Sequence, residues 1–472
     1  MKIAFLDPIA FDYSTNTVYT APLGGTQSSL CYLTNEITRL GHDVFLINNI
    51  SSPTVTYGVA CLPISCVTNQ FWQAIDIIVC CASAHYGETL RQLCGSNVVI
   101  IFWNHHAHDQ PAVQRLVQDK EREAYDAFFC ISSWQAGNFI ERFGIEQEKV
   151  TILRNAIGYN FEYLFDSEPL DLSKKITPIT LAYTSTPFRG LNLLVDIFPK
   201  IREKFPNAEL KVFSSMKVYQ MSDEQDGKNF GGLYGVLSAI DGVEYVGSLS
   251  QPELAQALKN VSILIYPNTF PETSCIAVME AMVSGCHVIT SDLGALPETT
   301  AGFATLVPFN SDLEVYKQDF LTATIKYIKN FQLENFKDIE QQLNKQIEHY
   351  RQHYTWKNRA QEWIEKLYQI KGYRLFKQQK YEMAINTYRQ AVDDFPESEN
   401  FYFYLILCLI LSELPEEALS IIINTVINSN FNNPDYFSQR LNGIIQKELS
   451  FLANINEGKD LELIQSFFQQ LE

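Results

Sequence analysis

The sequence predicts an α/β protein with two doubly wound, Rossmann-like domains that face a cleft, followed by an all-α helical-repeat tail. Short apolar runs alternate with amphipathic stretches in residues 1–165 and again in residues 176–330, and the chain beyond is helical and charged. Continuous apolar runs are typical of parallel strands that are covered on both faces. Ligands of such sheets bind beyond the carboxyl ends of the strands, so the cleft is the expected site.

The strands of the two predicted domains are apolar runs that end at polar or glycine-containing loops. In the first domain they are KIAFLD, DVFLIN, DIIVCCA, NVVIIFW and AFFCIS, and LCYLTNEITRL is an amphipathic helix after the first. In the second they are TITLAYTS, ELKVFSS, VEYVGS, SILIYP and HVITSD, with LNLLVDIFPKIREKF and QPELAQALKN as helices. Residues 160–176 are the natural linker. A length of 472 residues suits about three domains.

The tail contains a segment, residues 365–398, that fits a 34-residue helix–turn–helix repeat. Small, aromatic and helix-stopping residues fall where the tetratricopeptide pattern has them, at Gly372, Ala384, Tyr388, Ala391 and Pro396. A weaker second copy would extend the repeats to residue 432, and residues 433–472 would form capping helices. A plain helical bundle is the alternative interpretation.

Composition excludes several classes of protein. The formal net charge of −18 would repel phosphate backbones, which argues against a nucleic-acid partner. The N-terminus is not a signal peptide, and no apolar run approaches the ~20 residues that span a bilayer. We therefore expect a cytoplasmic protein, with peripheral attachment to a membrane left open. The ten cysteines form no C-x-x-C pair, so buried free thiols are expected rather than zinc or disulfides.

The segment SILIYPNTFPETSCIAVMEAMVSGCHVIT carries the strongest chemical signal. A strand ends at Tyr266, a loop carries Glu272, and a helix that begins near Ser274 contains Glu280. The free N–H groups and the dipole at such a helix N-terminus suit a diphosphate. A carboxylate accepts hydrogen bonds from vicinal hydroxyls, which makes the two glutamates candidate ligands of a ribose or a sugar.

Polar residues follow other predicted strands of both domains. Arg189 and Gly190 open a helix after TLAYTSTPF, and Gly24 and Gly25 lie in LGGTQSS after the first strand. Arginine binds phosphate in a bidentate way, and glycine lets backbone approach it closely. A surface arginine and an ordinary turn are the alternative interpretations.

A histidine-rich segment, WNHHAHDQPA, follows the strand NVVIIFW. Histidine with aspartate at this spacing could suggest a metal, but zinc needs three or four convergent ligands.

The two glutamates, separated by seven residues in a strand–loop–helix–strand setting, resemble the E-x7-E signature of retaining glycosyltransferases with the GT-B fold, most closely family 4. The resemblance implies that Glu280 binds the nucleotide ribose and that Glu272 contacts the donor sugar. Thr273, Ser274, Cys275 and Ile276 stand where the family often has Gly-Phe-Gly-Leu, whose backbone N–H groups face the donor.

Further motifs extend the resemblance to roughly residues 1–369. Arg189 stands where the family has a lysine that clamps the diphosphate, and Thr184 stands where it has an arginine. Gly24 and Gly25 match a glycine loop facing the diphosphate. The histidine-rich segment matches a loop near sugar and acceptor, which implies a catalytic role for His106, with Asp109 orienting it or the substrate; His105 and His108 are weaker candidates.

Two helical segments complete this coverage. SWQAGNFIERFGI with VTILRNAI resembles the end of the first domain, and YTWKNRAQEWIEKL resembles a helix that crosses back, which assigns residues 331–369 to crossing helices.

The implied activity is transfer of a sugar from a nucleoside diphosphate sugar to an acceptor hydroxyl, with retention of configuration and without a metal or other cofactor. The acceptor would be a glycan, a lipid or a protein, and the repeats would bind a protein partner or a second copy. One alternative is a repeat-based binding scaffold with an inactive enzyme domain. The other is a different reaction on the same fold, such as that of a sugar-nucleotide epimerase or a phosphorylase.

Overall fold

The computed structural model describes residues 1–333, 336–427, 434–453, 462–464 and 466–467. The chain forms two compact units, Met1–Gln361 and Glu362–Glu472, which are described separately below. Part of the predicted second repeat, residues 428–432, and much of the predicted capping region lie outside the described residues.

The first unit contains two sheets. The first has eight strands in the order β3-β4-β2-β1-β5-β6-β7-β8, and all neighbours are parallel except the β3–β4 pair. Its strands are β1 Lys2–Leu6, β2 Asp43–Asn48, β3 Thr54–Thr56, β4 Val59–Pro63, β5 Ile77–Cys81, β6 Val99–Asn104, β7 Ala127–Cys130 and β8 Val150–Ile152.

The second sheet has six parallel strands in the order β11-β10-β9-β12-β13-β14. Its strands are β9 Thr180–Tyr183, β10 Glu209–Val212, β11 Val243–Tyr245, β12 Ile263–Tyr266, β13 His287–Ser291 and β14 Thr305–Val307. All the predicted strands are present. The strands β3, β4 and β14 were not predicted. With three residues each, β3 and β14 are too short for the continuous apolar run that marks a buried strand, whereas β4, VACLP, is such a run and was missed.

Helices cover both sheets. Those that belong wholly to the first unit are α1 Thr17–Thr20, α2 Gly25–Arg39, α3 Asn69–Gln73, α4 Gly87–Cys94, α5 Asp119–Ala124, α6 Ser133–Phe143, α7 Tyr159–Glu162, α8 Leu194–Lys204, α9 Asp223–Ser238, α10 Gln251–Leu258, α11 Ile276–Val283, α12 Leu296–Thr299, α13 Leu313–Leu333 and α14 Phe336–His353. Short 3-10 turns occur at Ile64–Cys66, Pro111–Val117, Gln147–Lys149, Leu172–Lys175, Leu191–Leu193 and Met216–Tyr219.

The last helices of the first unit return to its first domain. The N–H of Ile157, near the end of the first domain, donates to the carbonyl of Tyr354 at 2.9 Å. The ring of Trp356 is stacked on Tyr32 of α2, with 6.2 Å between ring centroids. The described part of the chain has no helix that is both long and apolar enough to cross a bilayer.

The second unit is helical. It holds the C-terminal part of α15, Trp356–Lys377, and then α16 Tyr381–Asp394, α17 Glu399–Leu411, α18 Pro415–Ile427 and α19 Pro434–Ala453. The fold class of two parallel α/β domains followed by a helical tail is thereby confirmed. The assignment of the tail to tetratricopeptide-like repeats stays a prediction.

Close packing of α15 on α16 explains one glycine of the predicted repeat. A Cβ atom at Gly372 would lie 2.5 Å from Cζ of Tyr388, whose ring is itself fully buried. Gly443 in α19 is also helical, but a Cβ there would meet nothing within 4 Å.

We predict opposite effects of alanine at these two glycines. Gly372→Ala places a methyl group inside the Tyr388 ring and should lower the free energy of unfolding by roughly 1–3 kcal/mol. Gly443→Ala should raise it by up to about 1 kcal/mol, because alanine is the better helix former. Urea unfolding followed by circular dichroism measures both, and equal effects of the two substitutions would contradict this packing.

Candidate functional site

A cavity of about 570 Å³ lies between the two α/β domains of the first unit. This volume is in the range of small-molecule sites. The cavity is lined by loops that follow the carboxyl ends of strands in both sheets and by the first turns of α2, α10 and α11. The sequence predicted a site in this cleft.

The N-terminus of α2 forms one wall. The helix begins at Gly25 with Gly24 as its N-cap, several residues earlier than predicted, so the glycine pair is the helix start itself rather than a loop before it. A Cβ at Gly24 would lie 3.3 Å from the carbonyl oxygen of Val218, and one at Gly25 would lie 3.5 Å from Cδ1 of Ile276. The small residues therefore let the helix approach the second domain closely.

The N-terminus of α11 forms the opposite wall. This helix begins at Ile276, two residues later than predicted, and its N-cap Cys275 makes no capping side-chain hydrogen bond. The first N–H groups of an α-helix lack acceptors within the helix and carry the positive end of its dipole. Two such ends therefore meet at the cavity, which is an arrangement suited to an anion.

Arg189 is held beside Glu272. Its Nη1 donates to Glu272 Oε1 at 2.7 Å, and the hydroxyl of Tyr266 donates to the same oxygen at 2.6 Å. Burial disfavours the charge on the guanidinium, but the Glu272 carboxylate and neighbouring polar groups, Tyr266 among them, together outweigh burial and hold the pKa of Arg189 well above its ordinary value. The placement of Arg189 requires glycine at the next residue. The φ of Gly190 is 103°, and a Cβ there would lie 2.1 Å from the Pro267 carbonyl oxygen.

The surroundings of Arg189 leave part of the guanidinium available. Its Cζ lies 4.8 Å from the ring centroid of Phe270 and 5.6 Å from that of Phe188. Its buried Nε has no hydrogen-bond partner among the described residues. Arg189 is also the one lysine or arginine among the described residues that line the cavity.

Glu280 faces the cavity from the second turn of α11. Only 4% of the residue is exposed, and burial raises the pKa of its carboxyl to about 8, although a hydrogen bond with Gln251 opposes the rise. Gln251 belongs to the first turn of α10 and also lines the cavity. A carboxyl and an amide that face one cavity from adjacent helices can hold a diol between them.

The histidine-rich segment, residues 105–110, contributes two imidazoles. His106 Nδ1 lies 2.7 Å from Gln110 Oε1, and His105 Nε2 lies 3.1 Å from Asn155 Oδ1. An amide oxygen only accepts hydrogen bonds, so these are the protonated nitrogens and His106 Nε2 carries a lone pair. Burial lowers the pKa of both imidazoles, that of His105 to about 3, which keeps them neutral.

Most of the predicted site residues line this one cavity: Gly24, Gly25, His106, Arg189, Glu272, Ser274, Cys275, Ile276 and Glu280. Asp109 is the exception, because it is exposed and is absent from the described cavity lining. His106 is held instead by Gln110, the residue after Asp109. The side-chain amide of Gln110 reaches the imidazole, whereas the side chain of Asp109 is exposed to solvent.

Sequence reasoning missed several lining residues, notably Gln110, Asn155 and Gln251, and it considered Thr273 only for its backbone N–H group. Asn155 lies in the loop after β8, where its position after a strand was the available signal. Gln251 gave no signal beyond its place at a helix start. Thr184, in the position where the resemblance expected arginine, lines the cavity and has a buried hydroxyl without a partner among the described residues. The described residues also include no group of three metal-ligating side chains.

The second α/β domain matches a known family. Residues 179–323 match the family described as Glycosyl transferases group 1. We refer to this matched stretch as the group 1 domain. It contains Arg189, Glu272 and Glu280.

Curated relatives match parts of the chain. A phosphatidyl-myo-inositol mannosyltransferase of Mycobacterium tuberculosis is 28% identical over 119 residues, which are 25% of this chain and 29% of the relative. One component of the phosphatidylinositol N-acetylglucosaminyltransferase of Arabidopsis thaliana is 24% identical over 173 residues, 37% of this chain and 36% of that protein. The matched stretches thus cover about a third of these relatives.

Solved structures resemble the group 1 domain together with the domain before it. A glycosyltransferase of Rickettsia africae superposes with a TM-score of 0.57 at 12% identity, over 78% of this chain and 98% of that one. HepE of Anabaena, in complex with UDP and glucose, superposes with a TM-score of 0.55 at 14% identity, over 78% and 99%. These likenesses show the fold, which is that of the GT-B glycosyltransferases.

Because the pKa of Glu280 is raised in the folded protein, the free energy of unfolding should depend on pH through this carboxyl. Below pH 4.5 the Glu280 carboxyl is protonated in both the folded and the unfolded protein. Between pH 4.5 and about 8 it is ionised in the unfolded chain but stays protonated in the folded protein. The ligand-free protein therefore loses stability through this group as the pH rises across that window. Glu280→Gln cannot ionise, so its free energy of unfolding relative to wild type should rise from pH 5 to pH 8, by at most about 1.4 kcal/mol per pH unit.

Urea titrations at pH 5, 6, 7 and 8 without nucleotide measure this difference. Glu123→Gln, at an exposed glutamate of the same unit, is the control and should give a difference that hardly changes with pH. A pH-independent difference for Glu280→Gln would contradict the buried, protonated carboxyl.

Proposed function

We propose that this protein is a glycosyltransferase that moves a sugar from a nucleoside diphosphate sugar to an acceptor hydroxyl. The observation that carries the proposal is the convergence on one cavity of the N-termini of α2 and α11, the Arg189 guanidinium, and the carboxyls of Glu272 and Glu280. Each group complements one part of such a donor. The helix ends and Arg189 suit the diphosphate, Glu280 suits the ribose diol, and Glu272 suits the sugar.

The similar proteins support the same class of donor. HepE was solved with UDP and glucose, and the curated relatives carry the names of a mannosyltransferase and of a component of an N-acetylglucosaminyltransferase. The proposal for this chain extends to the class of nucleoside diphosphate sugars. The acceptor is a hydroxyl of a glycan, a lipid or a protein, and the helical tail is proposed to bind a protein partner or a second copy.

Catalysis in this proposal rests on stabilising the leaving diphosphate. As the bond between the anomeric carbon and the diphosphate breaks, negative charge grows on the phosphate oxygens. Arg189 and the N–H groups at Gly25 and Ile276 then lie where that charge develops, and preorganised donors of this kind usually supply the largest share of rate enhancement. The protein itself provides this neutralisation in the proposed reaction.

The stereochemical part of the proposal is retention of configuration by attack on the same face of the sugar. The acceptor oxygen bonds to the anomeric carbon as the diphosphate leaves, and the departing phosphate oxygen takes the acceptor proton. His106 is proposed to orient the sugar or the acceptor, because its unprotonated Nε2 can accept a hydrogen bond from a hydroxyl while Gln110 fixes the ring.

We predict that Arg189→Ala and Glu280→Ala each weaken donor binding. Loss of a charge-assisted hydrogen bond at Arg189 costs about 1.5–3 kcal/mol, which is roughly a tenfold to hundredfold increase in Kd. The Glu280 carboxyl, with a pKa of about 8, is mostly protonated at neutral pH. Its variant therefore loses a neutral hydrogen bond of about 0.5–1.5 kcal/mol, which is roughly a twofold to tenfold increase in Kd. Calorimetric titration with a panel of uridine, guanosine and adenosine diphosphate sugars first finds the donor of the wild-type protein and then measures the variants.

Arg202→Ala is the matched control for Arg189→Ala. Arg202 is also an ion-paired arginine of the group 1 domain, where it bonds Asp241 and the Ala208 carbonyl, and it does not line the cavity as described. Its variant should keep the wild-type Kd. Failure of every sugar nucleotide to bind the wild-type protein would instead favour a binding scaffold with an inactive enzyme domain, and conversion of the donor sugar without any acceptor would favour an epimerase.

A further inference from the structure

Thr273 joins the two α/β domains at the wall of the cavity. It follows Glu272 in the loop between β12 and α11, residues 267–275, which we call the donor loop. Its hydroxyl donates to the backbone carbonyl of His105 at 2.7 Å, and the residue is 7% exposed. The family that the sequence resembles often has glycine at this position. Glycine has no side chain to make this bond, so the bond is a property of this chain rather than of the motif.

The donor-loop end of this bond is fixed. The backbone carbonyl of Glu272 accepts a hydrogen bond from the N–H of Ala295 at 2.7 Å, and its carboxylate is held by Arg189 and Tyr266. A Cβ at Gly294 would lie 2.6 Å from the Glu272 nitrogen, so the chain packs directly against this loop. Thr273 therefore cannot shift without disturbing the first glutamate of the site.

The other end is the segment of residues 105–110, which we call the histidine loop. His105 is held by Asn155 and by edge-on packing against Trp103, with 4.7 Å between ring centroids. The carbonyl of His106 accepts hydrogen bonds from Asn104 Nδ2 at 2.9 Å and from Gln135 Nε2 at 2.8 Å. A displacement of the His105 carbonyl is therefore transmitted to His106 through an ordered backbone.

Other bonds between the same two domains lie elsewhere. Glu298 binds Arg154 Nη2 at 2.6 Å and the N–H of Ser133 at 2.8 Å, and Gln220 exchanges hydrogen bonds with the backbone of Asp12. Neither Glu298 nor Gln220 is among the described residues lining the cavity. These bonds hold the domains together, whereas the Thr273 bond sets how the donor loop and the histidine loop meet inside the site.

We propose that Thr273 is a positioning residue whose hydroxyl couples occupation of the donor site to order in the histidine loop. The inference rests on the proposed function, because it takes the donor loop to bind a nucleoside diphosphate. In a protein that lacks this hydroxyl, nucleotide would still bind to the group 1 domain, but the histidine loop would no longer respond to it.

Hydrogen–deuterium exchange of the full chain, with and without UDP, GDP or ADP, tests this coupling in Thr273→Val and Thr273→Ser. Valine keeps the shape of threonine without its hydroxyl, and serine keeps the hydroxyl. In the wild-type protein and in Thr273→Ser, nucleotide should slow exchange in residues 105–110 by about fivefold, the scale expected of one hydrogen bond. In Thr273→Val that response should fall to less than about twofold, with nucleotide Kd within about threefold of wild type.

Thr324→Val is the matched control. Thr324 is also a buried threonine whose hydroxyl donates to a backbone carbonyl, that of Phe320 at 2.8 Å, but both residues belong to α13. Its variant should keep the full response of the histidine loop. A full response in Thr273→Val, with nucleotide bound, would overturn the coupling and leave the proposed function intact. Failure of UDP, GDP and ADP to bind the wild-type protein would overturn both.

Discussion

The ion pair of Arg189 with Glu272 is the interaction on which the geometry of the site depends. It unites the loop after β9 with the loop after β12, and it keeps a guanidinium charged inside a partly buried cavity. The pair needs the close approach of Gly190 to the Pro267 carbonyl, which no residue with a Cβ permits. Because removal of either partner leaves a buried charge unpaired, the cavity and the stability of the group 1 domain depend on the same contact.

An acidic protein that binds a diphosphate must concentrate positive potential locally. The net charge of the protein is −18, and Arg189 is the one lysine or arginine in the described cavity lining. Side chains alone therefore provide little positive potential at the cavity. The backbone supplies the remainder, because α2 and α11 both direct their N-termini at the cavity. The small size of Gly24 lets the start of α2 approach Val218 and Tyr219 of the second domain, and Gly25 lies beside Ile276 at the start of α11.

The sequence predicted the two α/β domains, the cleft and most of the cavity lining, because each of these follows from local signals. Buried parallel strands are continuous apolar runs, and Glu272, Glu280 and Arg189 follow strands in a recognisable order. The partnerships between loops were not predictable in this way. Gln110 rather than Asp109 holds His106, and Thr273 reaches His105 across 168 positions of sequence. The first contact depends on how the chain turns within one loop, and the second on the packing of one domain on the other. Neither is recorded by the strand and motif patterns.

A crystal structure of the full chain with the nucleoside diphosphate that binds best would show whether the two helix ends hold the diphosphate. We expect the diphosphate between the first turns of α2 and α11, within hydrogen-bonding distance of the N–H groups of Gly25 and Ile276 and of the Arg189 guanidinium, with the ribose hydroxyls on Glu280. A nucleotide bound outside this cavity, or one whose phosphates contact neither helix end, would contradict this expectation.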